Sequence, residues 1–438
     1  MTSKEWKKCK LGDIADVTKL AGFEFTKYIN YDESGEIIAL RALNLRNGIL
    51  DLSDIKRIKK SVSDSLTRSK LYINDILLTY TGNGYGDCAI IKENDKYHLA
   101  PNICKISPKI EIVDPYYLYS YIRSKQFYTQ MTNNMVGSGQ PTIPMKTIRI
   151  LEIPISSKNK QQKIAKVLSA IDDKIELNNS INNNLEQQAQ AIFKSWFIDV
   201  SDLNNSSEKF GKFPQLATEL TVGDIEMLVT DYVANGSFAS LKENVTLYQE
   251  PNYAYFVRNT DLKTNTFNVF VDEHSYKFLS KSTLYGNEII ISNVGDVGSV
   301  FLCPKLDLPM TLGNNIIMLR PKDNRLTYYL YIWFKWSYGQ NLIQGIKGGS
   351  AQPKFNKTDF KSLPIIIPQG KLLDKFSDIM TPIFNSIEKN NEENKFLIQL
   401  RDTLLPKLMS GEIDVSKVEI DDILENQSAD KLLFSEDK

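Results

Sequence analysis

Apolar residues recur in a 4-3 rhythm over residues 161–196. Ile164, Leu168, Ile171, Ile175, Leu185, Ala189, Ile192 and Trp196 fall on one stripe, interrupted only by Asn178 and Asn182. That spacing is the seam of a long helix that packs on another helix. The seam returns 212 residues later as Phe376, Met380, Ile383, Ile387, Asn390, Asn394, Leu397, Arg401, Leu404 and Leu408. Two matching seams in one chain predict that the helices pack on each other. The asparagines stand at the same two places in each. A polar residue at a seam costs stability but fixes register, so Asn178, Asn182, Asn390 and Asn394 are expected to lock the pair. The competing reading leaves them solvated at the seam's edge. Pro382 is expected to start, kink or interrupt the second helix.

Upstream of each long helix lies a globular part with short β-like runs at residues 36–40, 75–80 and 288–292. Turn-forming stretches, such as residues 82–86 and 295–298, separate them. A helical stretch, residues 114–133 and 327–344, closes each part. The two parts repeat one another. NDILLT at 74–79 matches NEIIIS at 287–292, and Asn102-Ile103 matches Asn315-Ile316, both 213 residues on. YYLY at 116–119 and Gln140-Pro141 return 212 residues on, as does the Ile175-Glu176 stretch. RALNL at 41–45 resembles RNTDL at 258–262. Six matches in one order at nearly constant offset mark an internal duplication.

Composition narrows the class. The 438 residues exceed one ordinary core, and the apolar and charged fractions are those of a globular protein. No apolar run approaches a membrane span and no secretory signal is evident, so no membrane association is expected. Cys9, Cys88, Cys104 and Cys303 are scattered without a C-x-x-C pair, which points away from zinc or disulfides and toward a reducing cytoplasm. Net charge is zero, which weighs against strong binding to nucleic acid by bulk electrostatics alone. The lysine- and arginine-rich run at 56–60 reads as a solvated face, and residues 417–438 as an acidic tail.

Catalytic constellations are not found. His98 and His274 have no nucleophile or ligand companion nearby and read as structural. Gly82-Asn83-Gly84-Tyr85-Gly86 lacks the spacing of a phosphate loop and reads as a tight turn presenting side chains, as does 295–298. Asp114-Pro115-Tyr116-Tyr117 approaches the Asp/Asn-Pro-Pro-Tyr/Phe motif of amino-methyltransferases. It lacks the second proline, and its repeat at 326–329 keeps neither the acid nor the proline. No metal site is expected.

Two globular units alternating with two long helices resemble the specificity subunits of type I restriction–modification systems. The residues carrying the resemblance are WKKCKLGDI at 6–14, QPTIP at 140–144, QQKIAKVLSAIDDKIE at 161–176, FKSWF at 193–197 and LLPKLMSGEI at 404–413. The likeness covers nearly the whole chain. It implies an α+β fold: two α/β target recognition domains separated by two long helices that pair as an antiparallel coiled coil, with a pseudo-two-fold internal repeat. The expected division is a first recognition domain at 1–157, a long helix at 158–200, a linker at 201–222, a second recognition domain at 223–370, a second long helix at 371–416 and the tail. The implied function is sequence-specific binding of double-stranded DNA at a bipartite target, without catalysis by this chain. Implied partners are two modification (methyltransferase) subunits and restriction (helicase–nuclease) subunits. S-adenosylmethionine, ATP and Mg are expected on those partners, with adenine flipped out for N6 methylation. A stand-alone DNA-binding or scaffold protein is the alternative, and an enzyme with an unfamiliar site a third.

Base edges are distinguishable in the major groove to Arg, Lys, Asn, Gln and Asp. Candidate contacts are therefore Arg41, Asn44, Asn83, Tyr85 and Gln140 in the first unit and Arg258, Asn293, Asp296, Gln352 and Lys354 in the second. Arg41 and Arg258 recur at equivalent places, which suits either DNA contact or a structural ion pair. A helix of about 36 residues spans about 54 Å, enough to separate two readers by a DNA turn of about 34–36 Å.

Overall fold

The computed structural model describes residues 6–46, 48–82, 84–136, 141–198, 217–349 and 352–415. It comprises two compact units, Met1–Leu177 with Glu393–Lys438, and Asn178–Glu392. Each unit holds one globular part and one half of each long helix. The acidic tail and most of the expected linker lie outside the described residues.

The first unit is built on a four-stranded antiparallel sheet in the order Ala15–Lys19, Ile103–Pro108, Ile76–Thr79, Cys88–Ile90. The second repeats it as Met227–Asp231, Ile316–Pro321, Ile289–Ser292, Val300–Leu302. The central strands read as unbroken apolar runs because both faces are covered, and Ile76, Leu77, Leu78, Ile289, Ile290 and Ile291 are all fully buried. A smaller mixed sheet flanks each: Lys56–Ile58, Ile37–Leu40 and Tyr97–Leu99 in the first unit, five strands in the second. In both, one strand pair is parallel, Ile37–Leu40 with Tyr97–Leu99 and Ala254–Val257 with Met310–Leu312.

The repeated N-D/E motif has a local cause. Asn74 and Asn287 sit at φ +72° and +65°, a left-handed conformation that asparagine tolerates. The following acid closes the turn: Asp75 accepts from Tyr72 N at 2.8 Å, and Glu288 from Tyr285 N and Gly286 N at 2.8 and 2.9 Å.

The stretch expected to be one helix is two in each unit, Pro115–Ile122 with Lys125–Asn133 and Leu326–Lys335 with Ser337–Gly345. The break in the first unit comes where Ser124 caps the following helix, its side chain accepting from Phe127 N. Asp114 likewise caps its helix, accepting from Tyr116 N and Tyr117 N, with Pro115 at the first helical position. The methyltransferase-like tetrapeptide is thus a helix start.

The long helices run Lys158–Phe197 and Lys371–Ser410. In the first unit, Arg401 Nη1 donates to Asp172 Oδ1 at 2.8 Å and Lys174 pairs with Glu393 at 3.7 Å. In the second unit, Asn390 Nδ2 donates to Asn182 Oδ1 at 2.8 Å, Asn182 Nδ2 to Asn391 Oδ1 at 2.9 Å, and Phe193 meets Phe376. Numbers rise along one helix as they fall along the other, so the pairing is antiparallel. None of the twenty seam positions is exposed. Asn178 is 1 % exposed, which removes it from the solvated edge. Pro382 neither starts nor interrupts its helix, which begins at Lys371. Met380 and Phe384, buried on either side of it, anchor the helix to the core of the second unit, while Thr381 Oγ1 donates to Ser377 O at 2.7 Å. The second helix ends short of the expected residue 416. Gly411 takes φ +76° there, and a Cβ on it would come within 2.7 Å of Trp6 Nε1.

Replacing both Asn178 and Asn390 with leucine should leave stability within about 1 kcal/mol of wild type, or raise it, while loosening register. Thermal melting checks this, and a large loss would assign the amides to another network.

Candidate nucleic-acid interface

The two loop families singled out by sequence meet in each unit. In the first, Gly82 N donates to Pro141 O at 3.0 Å, Ile143 N to Tyr80 O at 3.0 Å, and Thr81 bridges Thr142. In the second, Gly295 N donates to Pro353 O at 2.9 Å, Phe355 N to Asn293 O at 3.0 Å, and Val294 bridges Lys354. A third segment adds to each: Val136 pairs with Thr142, and Gly348 with Lys354. The glycine turn and the Gln-Pro loop therefore form one ridge, built twice to one plan. Gly298 is required by the turn: it sits at φ +99°, and a Cβ there would come within 2.9 Å of Gln340 Oε1.

Asp296, Gln352 and Lys354 are exposed on the second ridge. Burial raises the Asp296 carboxyl, but Lys263 and Ser299 outweigh it and hold it below the usual carboxylate range. Asn293 is half-buried, its amide donating to Phe355 O at 3.4 Å. Tyr85 is half-buried against Tyr128 at 6.3 Å, and burial pushes its hydroxyl up to about 12. Asn83 and Gln140 lie outside the described residues.

The other candidates are framework. Asn44 is 0 % exposed, accepting from Arg41 N and donating to Asp51 O and Asp54 O. Its amide holds a loop and has no surface left to offer a base. Arg41 pairs with Asp54 at 3.0 Å. Arg258 donates through Nε and Nη2 to the buried Asp261 at 2.9 and 2.5 Å. Each arginine makes the ion pair that one of its two readings expected. His98 is buried beside Ser63 at 3.0 Å, and burial pushes its imidazole down to about 4, so it is neutral.

Sequence reasoning missed one cluster. Asp172 on the first long helix accepts from Arg123 Nη1 at 2.8 Å, Tyr116 OH at 2.5 Å and Arg401 Nη1 at 2.8 Å. It therefore ties the globular part of the first unit to both helices. Burial raises its carboxyl, but the two guanidiniums and the Tyr116 hydroxyl hold it below the usual range. The repeat positions in the second unit are Phe384, Ala189 and Lys335. There Tyr328 stacks on Phe384 at 4.4 Å and Lys335 pairs with Glu186 at 2.6 Å. The same joint is ionic in one unit and largely aromatic in the other.

Among the described residues no group of three or more His, Cys, Asp or Glu side chains is placed to hold a metal, and no helix is long and apolar enough to cross a membrane.

Comparison with known proteins agrees with this architecture. The type I restriction modification DNA specificity domain matches residues 3–187 and again 229–397. The chain is 25% identical to the HindI specificity subunit of Haemophilus influenzae, over 93% of this chain and 100% of that one. It is 29% identical to the MjaIX specificity subunit of Methanocaldococcus jannaschii, over 72% of each. The crystal structure of the type I restriction–modification S subunit from M. genitalium shares its fold, with TM-score 0.51 and 18% identity over 93% of this chain and 97% of that one. With one domain model matched twice across most of its length, the chain belongs to the type I restriction–modification DNA specificity family.

Proposed function

We propose that this chain is the DNA-reading subunit of a type I restriction–modification complex. Each unit reads one half of a split target, and the complex's other subunits carry the chemistry. The observation that supports this reading is the ridge built twice to one plan, with framework residues repeated behind it and different side chains presented on it. Reading requires exposed polar groups on a rigid support, because base contacts discriminate only when held in place. The chain's zero net charge implies that much of the phosphate contact comes from partners. Modification subunits docked on this chain would bring S-adenosylmethionine to a flipped adenine. Restriction subunits would bring ATP and Mg.

The test is selection from randomised duplex DNA by the chain assembled with its modification subunits. Two short specified stretches separated by an unspecified gap are expected. A single contiguous motif, or none, would overturn the reading. The purified chain alone should neither methylate nor cleave DNA; methyl transfer by a preparation free of other subunits would place the chemistry here.

A further inference from the structure

Lys263 and Asp296 come together from separate elements of the second unit. Asp296 stands on the glycine turn of the ridge, and Lys263 on the helix Asn259–Thr264. Their ion pair measures 2.5 Å, and each side chain is 45% exposed. Both are held from behind. Arg258 clamps the start of the lysine's helix to the buried Asp261, and Gln340 Nε2 donates to Gly298 O at 2.8 Å beneath the turn. Ser299 Oγ and Asn259 Nδ2 also reach Asp296, at 2.5 and 3.5 Å. All three contacts fall on Oδ2. Oδ1 accepts no hydrogen bond among the described residues, and Asp296 is the lysine's one ion-pair partner there. An acceptor and a donor stand side by side, fixed in place, each with capacity to spare.

We propose that Lys263 and Asp296 together read one G·C base pair in the half-site taken by the second unit, a role that rests on the function proposed above. In the major groove a G·C pair shows the cytosine N4 amino donor beside the guanine O6 acceptor, about 3 Å apart, with N7 as a second acceptor next to O6. The carboxylate takes the amino group while the ammonium meets O6 and N7. In an A·T pair the amino donor lies between its two acceptors, adenine N7 on one side and thymine O4 on the other, so an ammonium beside the carboxylate meets one acceptor there and not the adjacent O6 and N7 of guanine. The paired carboxylate also approaches the phosphates with its charge already balanced. In the first unit the equivalent positions hold Arg46 and Asn83, a different donor set, so the rule belongs to one half-site.

The experiment is the same duplex selection, run on the assembled complex with Asp296→Ala, Asp296→Asn and Lys263→Met. In wild type one position of the second half-site is G·C. With Asp296→Ala or Lys263→Met that position loses a preference of about tenfold, and every other position stays as it was. Asp296→Asn moves the preference toward adenine, which an amide reads through N6 and N7. The proposal is overturned if the motif is unchanged in all three variants, if the position that relaxes is A·T, or if affinity falls equally on all sequences. Should Asp296→Ala fail to assemble, Lys263→Met decides by the same criteria. A wild-type complex that selects no split motif removes the functional reading and this one with it; a split motif indifferent to these side chains removes only this one.

Discussion

Asp172→Ala should cost about 3–5 kcal/mol of stability, because it removes the carboxylate shared by two largely buried guanidiniums and leaves Arg401 only the exposed Asp402. Arg123, Asp172 and Arg401 are 13%, 19% and 17% exposed, so water screens them little. The carboxylate also accepts the Tyr116 hydroxyl, which would lose its partner as well. Asp172→Asn should cost less, since one amide oxygen still accepts while the charge is gone. Urea unfolding followed in the 158–177 segment is the measurement. A loss under about 1 kcal/mol for Asp172→Ala would mean that the guanidiniums reach solvent freely and that the cluster is ornamental. Phe384→Ala, at the repeat position, should instead show the cost of an aromatic cavity, about 3–5 kcal/mol.

Exchanging residues 222–370 for those of a related specificity protein should replace one half of the methylated motif completely and leave the other half as it was. The physical basis is the closure of each unit around its own ridge and cores. The graft must keep what faces the helices: Tyr329 packs on Phe193 at 5.3 Å, Tyr331 on Phe384 at 5.6 Å, and Lys335 pairs with Glu186. Methylation-aware sequencing of cells carrying the chimaera with its partner subunits reads the result. A change in both halves together would show that the units do not read independently.

What could be read from the sequence was what repeats at short range. The seam was legible because a 4-3 spacing depends only on helix geometry, and its twenty positions are all covered. The duplication was legible because the turns of each unit need the same residues, asparagine at 74 and 287 and glycine at 82 and 295, for the same backbone reason. The roles of individual polar residues were hidden, because they depend on partners distant along the chain. Asp172 finds Arg123 forty-nine residues back and Arg401 far ahead, and no spacing rule connects them. Arg41 and Arg258 stood out as candidate readers because they recur. They recur because the framework does: in both copies the backbone N–H of the arginine donates to the polar side chain three residues on. Side chains that read different DNA should be those that differ between copies, as Asp296 differs from Asn83. Pro382 misled through its local rule, since one missing N–H is outweighed by a helix packed on the core of its unit through Met380 and Phe384.

The composition of the first unit has a consequence for synthesis on the ribosome. Its core joins Leu11, Ile14, Ile164 and Leu168 to Leu405, Leu408, Met409 and Val415. Vectorial translation delivers those two sets far apart in time. Once residue 177 is made, 238 more must follow before Val415 exists, about 12–48 s at 5–20 residues per second. Throughout that interval the apolar stripe of the first long helix waits uncovered in the nascent chain, while the second unit, contiguous in sequence, can close first. A stop codon in the last long helix beyond Glu392 therefore strands the earliest-made part of the molecule, and premature termination there should send the amino-terminal unit, rather than the second one, to chaperones and proteases.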